Sequence, residues 1–350
     1  MTQNSSKTAV LLINLGSPDA PTAPAIARYL REFLSDRRVV DLPKWLWSPI
    51  LNAIILRRRP ARLVPLYEMI WSHDVAPENG APLKAITLAQ TEALQDYFTQ
   101  NNLDHLSVYW AMRYQNPSIG SVLRQIVDDG IKRVVLLPLY PQYSLTTTET
   151  ALEEVQRQIS AYNLSLTVQT VLEYPTHPAY LQALVQSIQA YWQAHGQPNF
   201  AQGDKLLLSF HGIPERNVRL GDPYQAQCEA THRALSTALT AALNLPNDAI
   251  VMSYQSRFGA QKWLQPYSTN TLTQLAQSGT RRVDVLCPGF SADCLETLEE
   301  VAHQLKAVFL DNGGQSYHYI PCLNTDHAHI EMMAKLTQQI LHNDSFTSAV

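Results

Sequence analysis

Between residues 293 and 303 the chain reads DCLETLEEVAH, which sets Asp293, Glu296, Glu300 and His303 at offsets of 0, 3, 7 and 10. On an α-helix those offsets share one face, and Leu295, Leu298 and Ala302 form an apolar stripe beside them. A ladder of this kind can pass protons or hold hard, exchangeable cations. The same spacing also describes a solvated helix face whose first acid is stabilised by the helix dipole. Position favours chemistry. The helix opens directly after the apolar run Val283 to Leu286 and the turn Cys287-Pro288-Gly289-Phe290, so its first acids point to where a strand ends. Glu299 lies off this face and reads as a solvated side chain.

His211, in Leu208-Ser209-Phe210-His211-Gly212-Ile213-Pro214, closes another apolar run ahead of a Gly-x-Pro turn. A side chain there is presented to a ligand, or is an ordinary loop histidine. A neutral imidazole, with an unperturbed pKa of about 6.5, can accept a proton or bind a divalent metal at cellular pH. Facing Glu296, it would complete an acid/base or metal pair. No HxxxH falls on a helical stretch, and His327 and His329 diverge on a helix start, so a structural zinc site is not indicated.

A third feature runs from Leu42 to Leu56, rich in Trp, Leu and Ile, and ends on Arg57-Arg58-Arg59-Pro60-Ala61-Arg62. It is too short to span a bilayer. It reads either as a core helix or as an apolar lip with a basic rim, suited to a flat apolar ligand carrying carboxylates or to a membrane interface.

The elements that must position these groups are eight unalternating apolar runs: Ala9 to Leu15, Leu106 to Met112, Arg133 to Pro138, Leu166 to Leu172, Lys205 to Phe210, Ala249 to Tyr254, Arg282 to Leu286 and Ser316 to Ile320. Amphipathic stretches separate them. That alternation predicts α/β architecture, two parallel sheets flanked by helices, with ligands at the carboxyl ends of the strands. The length of 350 residues suits two domains, and the prolines of Tyr174-Pro175-Thr176-His177-Pro178 place the division at 1–173 and 174–350. GxGxxG and GxxxxGK[ST] are both missing, which disfavours a nucleotide. A net charge of -4 excludes a general field for nucleic acid. Four scattered cysteines read as reduced thiols, and the short first apolar run is neither signal peptide nor span, so a cytoplasmic protein is expected.

Taken in order, eight segments resemble the ferrochelatase family: Leu11-Leu12-Ile13-Asn14-Leu15-Gly16-Ser17-Pro18, residues 29–36, Leu139-Tyr140-Pro141-Gln142-Tyr143-Ser144, residues 209–216, Gly221-Asp222-Pro223-Tyr224, Ser253-Tyr254-Gln255-Ser256-Arg257-Phe258-Gly259, Trp263-Leu264-Gln265-Pro266-Tyr267 and residues 288–298. The resemblance implies two similar Rossmann-like domains with a porphyrin cleft between them, and insertion of Fe²⁺ into protoporphyrin IX to give protohaem. It implies His211 and Glu296 as the paired metal-centre residues, with Glu300 and Asp293 continuing an acidic path. Leu15, Trp45, Tyr67, Arg113, Ser253, Arg257 and Trp263 match cleft segments, and Arg58 and Arg59 match the basic end of the lip. Peripheral contact with the inner face of the cell membrane is compatible with that lip.

Two departures stand out. Residues 70–83 are longer than the family's usual Gly-Ser-Pro-Leu turn and carry Ala81 where Ser is common. The chain also has no Cys after Cys322 and has Leu145 within the Tyr143-to-Thr146 stretch, so the [2Fe-2S] cluster of some members is not expected, nor any cofactor beyond substrate iron. Coproporphyrin III, a cobalt corrin precursor, or tetrapyrrole binding without catalysis are the competing readings. The missing signal peptide weighs against the last of these. The apolar Leu15 and the wording of residues 210–216 favour protoporphyrin IX.

Overall fold

A computed structural model describes residues 7–71, 80–246, 248–257, 259 and 261–342. Each apolar run becomes a strand: β1 Thr8–Asn14, β2 Leu106–Met112, β3 Arg133–Pro138, β4 Thr167–Thr170, β5 Lys205–His211, β6 Ile250–Gln255, β7 Arg282–Leu286 and β8 Ser316–Tyr319. All seven residues of β1 are buried, which demands cover on both faces. Parallel pairing with crossover helices supplies it. Two four-stranded parallel sheets result, in the orders β2-β1-β3-β4 and β6-β5-β7-β8. The second sheet therefore repeats the strand order of the first, and the chain is α/β with two Rossmann-like layers of the expected kind.

The chain divides into two compact units: Met1–Tyr140, Leu145–Leu172 and Ile330–Val350 form the first, Pro141–Ser144 and Glu173–His329 the second. A division that leaves all of 174–350 in one domain misses the return at Ile330. The final helix, His327–His342, buries Ile330, Met332, Met333, Ala334 and Leu336, and Gln169 Nε2 of β4 donates to Ile340 O at 3.2 Å. An amphipathic helix carries no mark of which sheet it covers, so sequence alone could not send it back.

In the first unit the core joins β1 and β3 to helix Ile119–Asp128, with Leu11, Ile13, Leu123, Ile126 and Leu136 fully enclosed. Beside it, Asp36 just past helix Ala23–Ser35 accepts from Arg113 Nη2 at 2.6 Å and Tyr114 Oη at 2.9 Å, and also from Thr150 Oγ1. Burial opposes the Asp36 charge, yet the bonds from Thr150 and the Arg38 amide and the Arg113 guanidinium outweigh it and hold the carboxyl below its ordinary range. Asp36→Ala should cost about 3–5 kcal/mol in a urea melt at pH 7, because the largely buried Arg113 is left uncompensated. The sign with pH follows: a depressed carboxyl stabilises above its unfolded pKa and loses that contribution as pH falls through its folded value. If Asp36→Ala melts like wild type, this pair is not a fixture of the unit.

Three segments wind as wide π turns rather than α-helix: Leu51–Ile55, Leu145–Glu149 and Glu296–Leu305. Such turns, with i→i+5 bonding, are rare and concentrate at functional sites.

Candidate active site

Strand order sets the site of the second unit. β5 lies between β6 and β7; the connection after β5 runs to β6 on one side and the connection after β7 runs to β8 on the other, so a crevice opens at the carboxyl ends of β5 and β7. His211 is the last residue of β5, paired in register with Gln255 of β6, and the loop after β7 leads to the helix carrying Glu296 and Glu300.

Gly212 holds the turn after His211. Its N–H donates to Gln255 O at 2.8 Å, and a Cβ there would sit 2.8 Å from that oxygen and 3.3 Å from the Trp263 ring, so only glycine lets the backbones approach. The His211 Nδ1 lies 2.7 Å from Gly212 O. A carbonyl can only accept, so Nδ1 carries the proton and Nε2 keeps its lone pair for an incoming proton or metal. The Trp263 and Phe290 rings stand 6.5 and 6.3 Å from the imidazole, forming apolar walls around it.

Glu300 Oε1 accepts from the Ser256 amide at 2.7 Å, and Oε2 from the Ser256 hydroxyl. Burial raises its pKa. Ser256 and His211 pull it down, Glu296 pushes it up, and the net direction is upward. Gln255, itself buried, donates from Nε2 to Glu296 O at 3.1 Å and accepts from Ser209 Oγ at 2.7 Å. It ties β5, β6 and the first wide turn together.

His211, Glu296, Glu300 and Trp263 thus gather as the sequence suggested, and other expected residues do not join them. Asp293 is buried, and its carboxylate is taken up by Thr297 Oγ1, Tyr319 Oη and Asn324 Nδ2 at 2.5–2.9 Å, which leaves it a brace rather than a metal ligand. Ser253 is fully buried within a hydroxyl chain, Ser209–Ser268–Ser253 at 2.8–2.9 Å, and does not face a ligand. Arg257 is exposed, its guanidinium 5.1 Å above the Tyr267 ring.

The helix itself departs from α arithmetic. Thr297, Val301, Leu305 and Phe309 are buried every fourth residue, a stripe that α geometry would smear by about 120° over that length. The wide turns keep it straight. Leu295, Leu298 and Ala302 are therefore only half-buried. Glu299, read as solvated, is 6% exposed and accepts Gln304 Nε2 at 2.8 Å on both oxygens. Among the described residues no group of three or more His, Cys, Asp or Glu could hold a metal ion.

In the first unit Leu15 follows β1, half-buried, its amide on Asn14 Oδ1 at 2.8 Å. Trp45 is 78% and Ile54 51% exposed, and helix Lys44–Ile50 buries nothing, which removes the core-helix reading. Trp47 is different: its Nε1 donates to Leu34 O at 2.6 Å and anchors the turn. Arg58 is exposed, Arg59 half-buried and Tyr67 buried edge-on to Trp71. Arg113 is committed to Asp36 and Thr150, so it serves the unit's interior first. Residues 72–79 of the long 70–83 segment lie outside the described residues. No described helix is long and apolar enough to cross a membrane.

Sequence reasoning missed Gln255, Ser256 and Phe290. The first two sit at a strand end two and three residues past Ser253, and only the signal of position could have picked them out.

The family model called Ferrochelatase matches residues 7–341. A protein of Hamiltonella defensa subsp. Acyrthosiphon pisum (strain 5AT) called ferrochelatase is 48% identical over 331 residues, 95% of this chain and 98% of that one. Among solved structures, SirB from Bacillus subtilis, determined with Fe³⁺, aligns over 97% of this chain and all of its own at TM-score 0.53 and 12% identity. A multi-domain protein of Deinococcus radiodurans described as structurally similar to chelatases aligns over 95% of this chain and 55% of its own at TM-score 0.50 and 13% identity. The two structures support the fold. The near-complete match to one family model and to a relative at this identity establishes that the chain belongs to the ferrochelatase family, lyases of haem biosynthesis that insert a metal ion into a tetrapyrrole.

Proposed function

We propose that the chain inserts Fe²⁺ into protoporphyrin IX, forming protohaem and releasing two protons, with His211 taking up pyrrole protons at Nε2. The observation that carries this is the fixed tautomer of His211, its Nδ1 held 2.7 Å from Gly212 O and its Nε2 left open, with Glu300 held by Ser256 just past the neighbouring strand. Insertion requires two N–H bonds to break while iron sheds water and forms four Fe–N bonds. A neutral imidazole suits the first task. Glu300, whose proton affinity is raised by burial, suits acceptance of those protons, and Glu296 suits a first contact for the hydrated cation. Asp293, held by its three partners, has no part in the path. Half-buried, apolar Leu15 favours protoporphyrin over the more acidic coproporphyrin.

Purified protein, Fe²⁺ and each porphyrin, mixed without oxygen and followed at the Soret band, test the assignment. Turnover beyond one equivalent, faster with protoporphyrin IX, is expected. Faster coproporphyrin turnover would reassign the substrate, and a single stoichiometric spectral change would make the chain a binder.

The exposed turn bearing Trp45 and Ile54, with Arg57 and Arg58 exposed beside it, supports an apolar contact outside the protein. Changing Trp45 and Ile54 together to serine should leave the circular dichroism melt in place, since neither is buried. It should raise the protoporphyrin KM severalfold or release the protein from anionic liposomes. A cooperative loss of fold, or no change in either binding measurement, would strip the turn of that role.

A further inference from the structure

We propose that Ser256 is a positioning residue that fixes the Glu300 carboxylate beside His211 through two simultaneous bonds, one from its amide and one from its hydroxyl. The geometry behind this is specific. Ser256 follows β6 directly and has φ of +66°, a left-handed conformation that residues other than Gly, Asn and Asp rarely adopt. That conformation swings both its N–H and its Oγ to one side, where each meets a different oxygen of the same carboxylate. A serine in the extended continuation of β6 could not present both. A left-handed conformation kept by a residue other than glycine, where it makes two bonds to one carboxylate, points to a local function.

The preceding residue fixes the other half of the arrangement. Gln255 is buried, and its Nε2 holds Glu296 O at the start of the wide helical turn, while its Oε1 is occupied by Ser209 Oγ. The adjacent pair thus grips the π segment at two points four residues apart, the backbone at Glu296 and the side chain at Glu300. A wide turn lacks the tight packing that sets side chains on an α-helix, so outside anchors must supply the direction. With both Glu300 oxygens accepting hydrogen bonds, the carboxylate cannot rotate away from the imidazole, and proton passage from His211 meets a group already oriented.

This rests on the proton path assigned to His211 and Glu300 above, and the test separates the two. Ser256→Ala removes the hydroxyl; Ser256→Gly removes it and also relieves the backbone. Both are expected to lower kcat about tenfold, the scale of one lost hydrogen bond to a charged group, with the porphyrin KM unchanged and the thermal midpoint close to wild type. A merely structural serine would show a shifted melt and recovery in the glycine variant. The decisive measurement is a double-mutant cycle with Glu300→Ala. Once Glu300 has no carboxylate, Ser256→Ala should cost nothing further in kcat. Equal losses in both backgrounds, or full activity in Ser256→Ala, would overturn the positioning role even with His211→Ala inactive. Unimpaired turnover in His211→Ala would instead sink the proton path, and strict non-additivity in the cycle would still report Ser256 acting through Glu300.

Discussion

Replacing His211 with alanine should all but end iron insertion, with kcat falling on the order of 10²–10⁴-fold, the range for loss of a positioned acid/base group. The reason is in the turn. Gly212 O fixes Nδ1 as the donor and leaves Nε2 as the one basic nitrogen at the end of β5. Water in its place would have neither a fixed direction nor the basicity of a ring nitrogen. Porphyrin affinity should stay within a fewfold of wild type, because apolar contact rather than one half-exposed imidazole carries it. Single-turnover Soret traces beside a porphyrin fluorescence-quenching titration read the two quantities separately. A variant that still turns over at the wild-type rate would return His211 to the status of a loop residue and remove the proton path with it.

Glu296→Gln and Glu299→Gln should come apart in opposite directions, although they are the same chemical change three residues apart. Loss of the Glu296 charge should lower kcat about a hundredfold and leave the melt nearly unmoved, since that side chain is half-exposed and acts on the reaction. Glu299 is enclosed, with Gln304 Nε2 shared by its two oxygens. An amide there sets an NH₂ group against another NH₂ donor, so Glu299→Gln should cost about 1–2 kcal/mol of stability while the rate barely changes. Steady-state rates and urea melts of the two variants decide the matter. Comparable rate losses from both, with intact folds, would mean that the face bearing Glu296 and Glu300 is not the working one.

The contrast between these two glutamates also shows where sequence reasoning holds and where it stops. Central strands were legible because burial on both faces makes them mainly apolar, as in Val134 to Leu137. His211 was legible from its place at a strand end. The face of the acidic helix was not, because the 100° step assumed for it belongs to α-helix, and nothing in ETLEEVAHQL announces i→i+5 bonding. Glu299 was placed outside on that step and is inside. Ser253 misled for a related reason: alternation along β6 turns its side chain toward Ser268, while the serine that bonds Glu300 lies three residues on, past the strand, where backbone conformation decides what it meets. Asp293 has the right type and the right offset, but only the structure shows Tyr319 and Asn324 arriving from β8 and beyond to occupy it.

The return of the chain to its first unit at Ile330 governs the order in which the protein can be completed as it is made. Strands β1 to β4 leave the ribosome first, yet the helix that buries Ile330, Met332 and Met333 arrives only after the whole Glu173–His329 insert has been synthesised, roughly 10–30 s later at about 5–20 residues per second. During that interval the β4 side of the first sheet lacks the partner of Gln169 and the cover of a helix. The insert has its own sheet, complete from β5 to β8, and can close while the first unit waits. Released chains truncated just short of residue 330 should consequently expose apolar surface in the older half of the molecule rather than in the newer one, the reverse of the usual vectorial pattern.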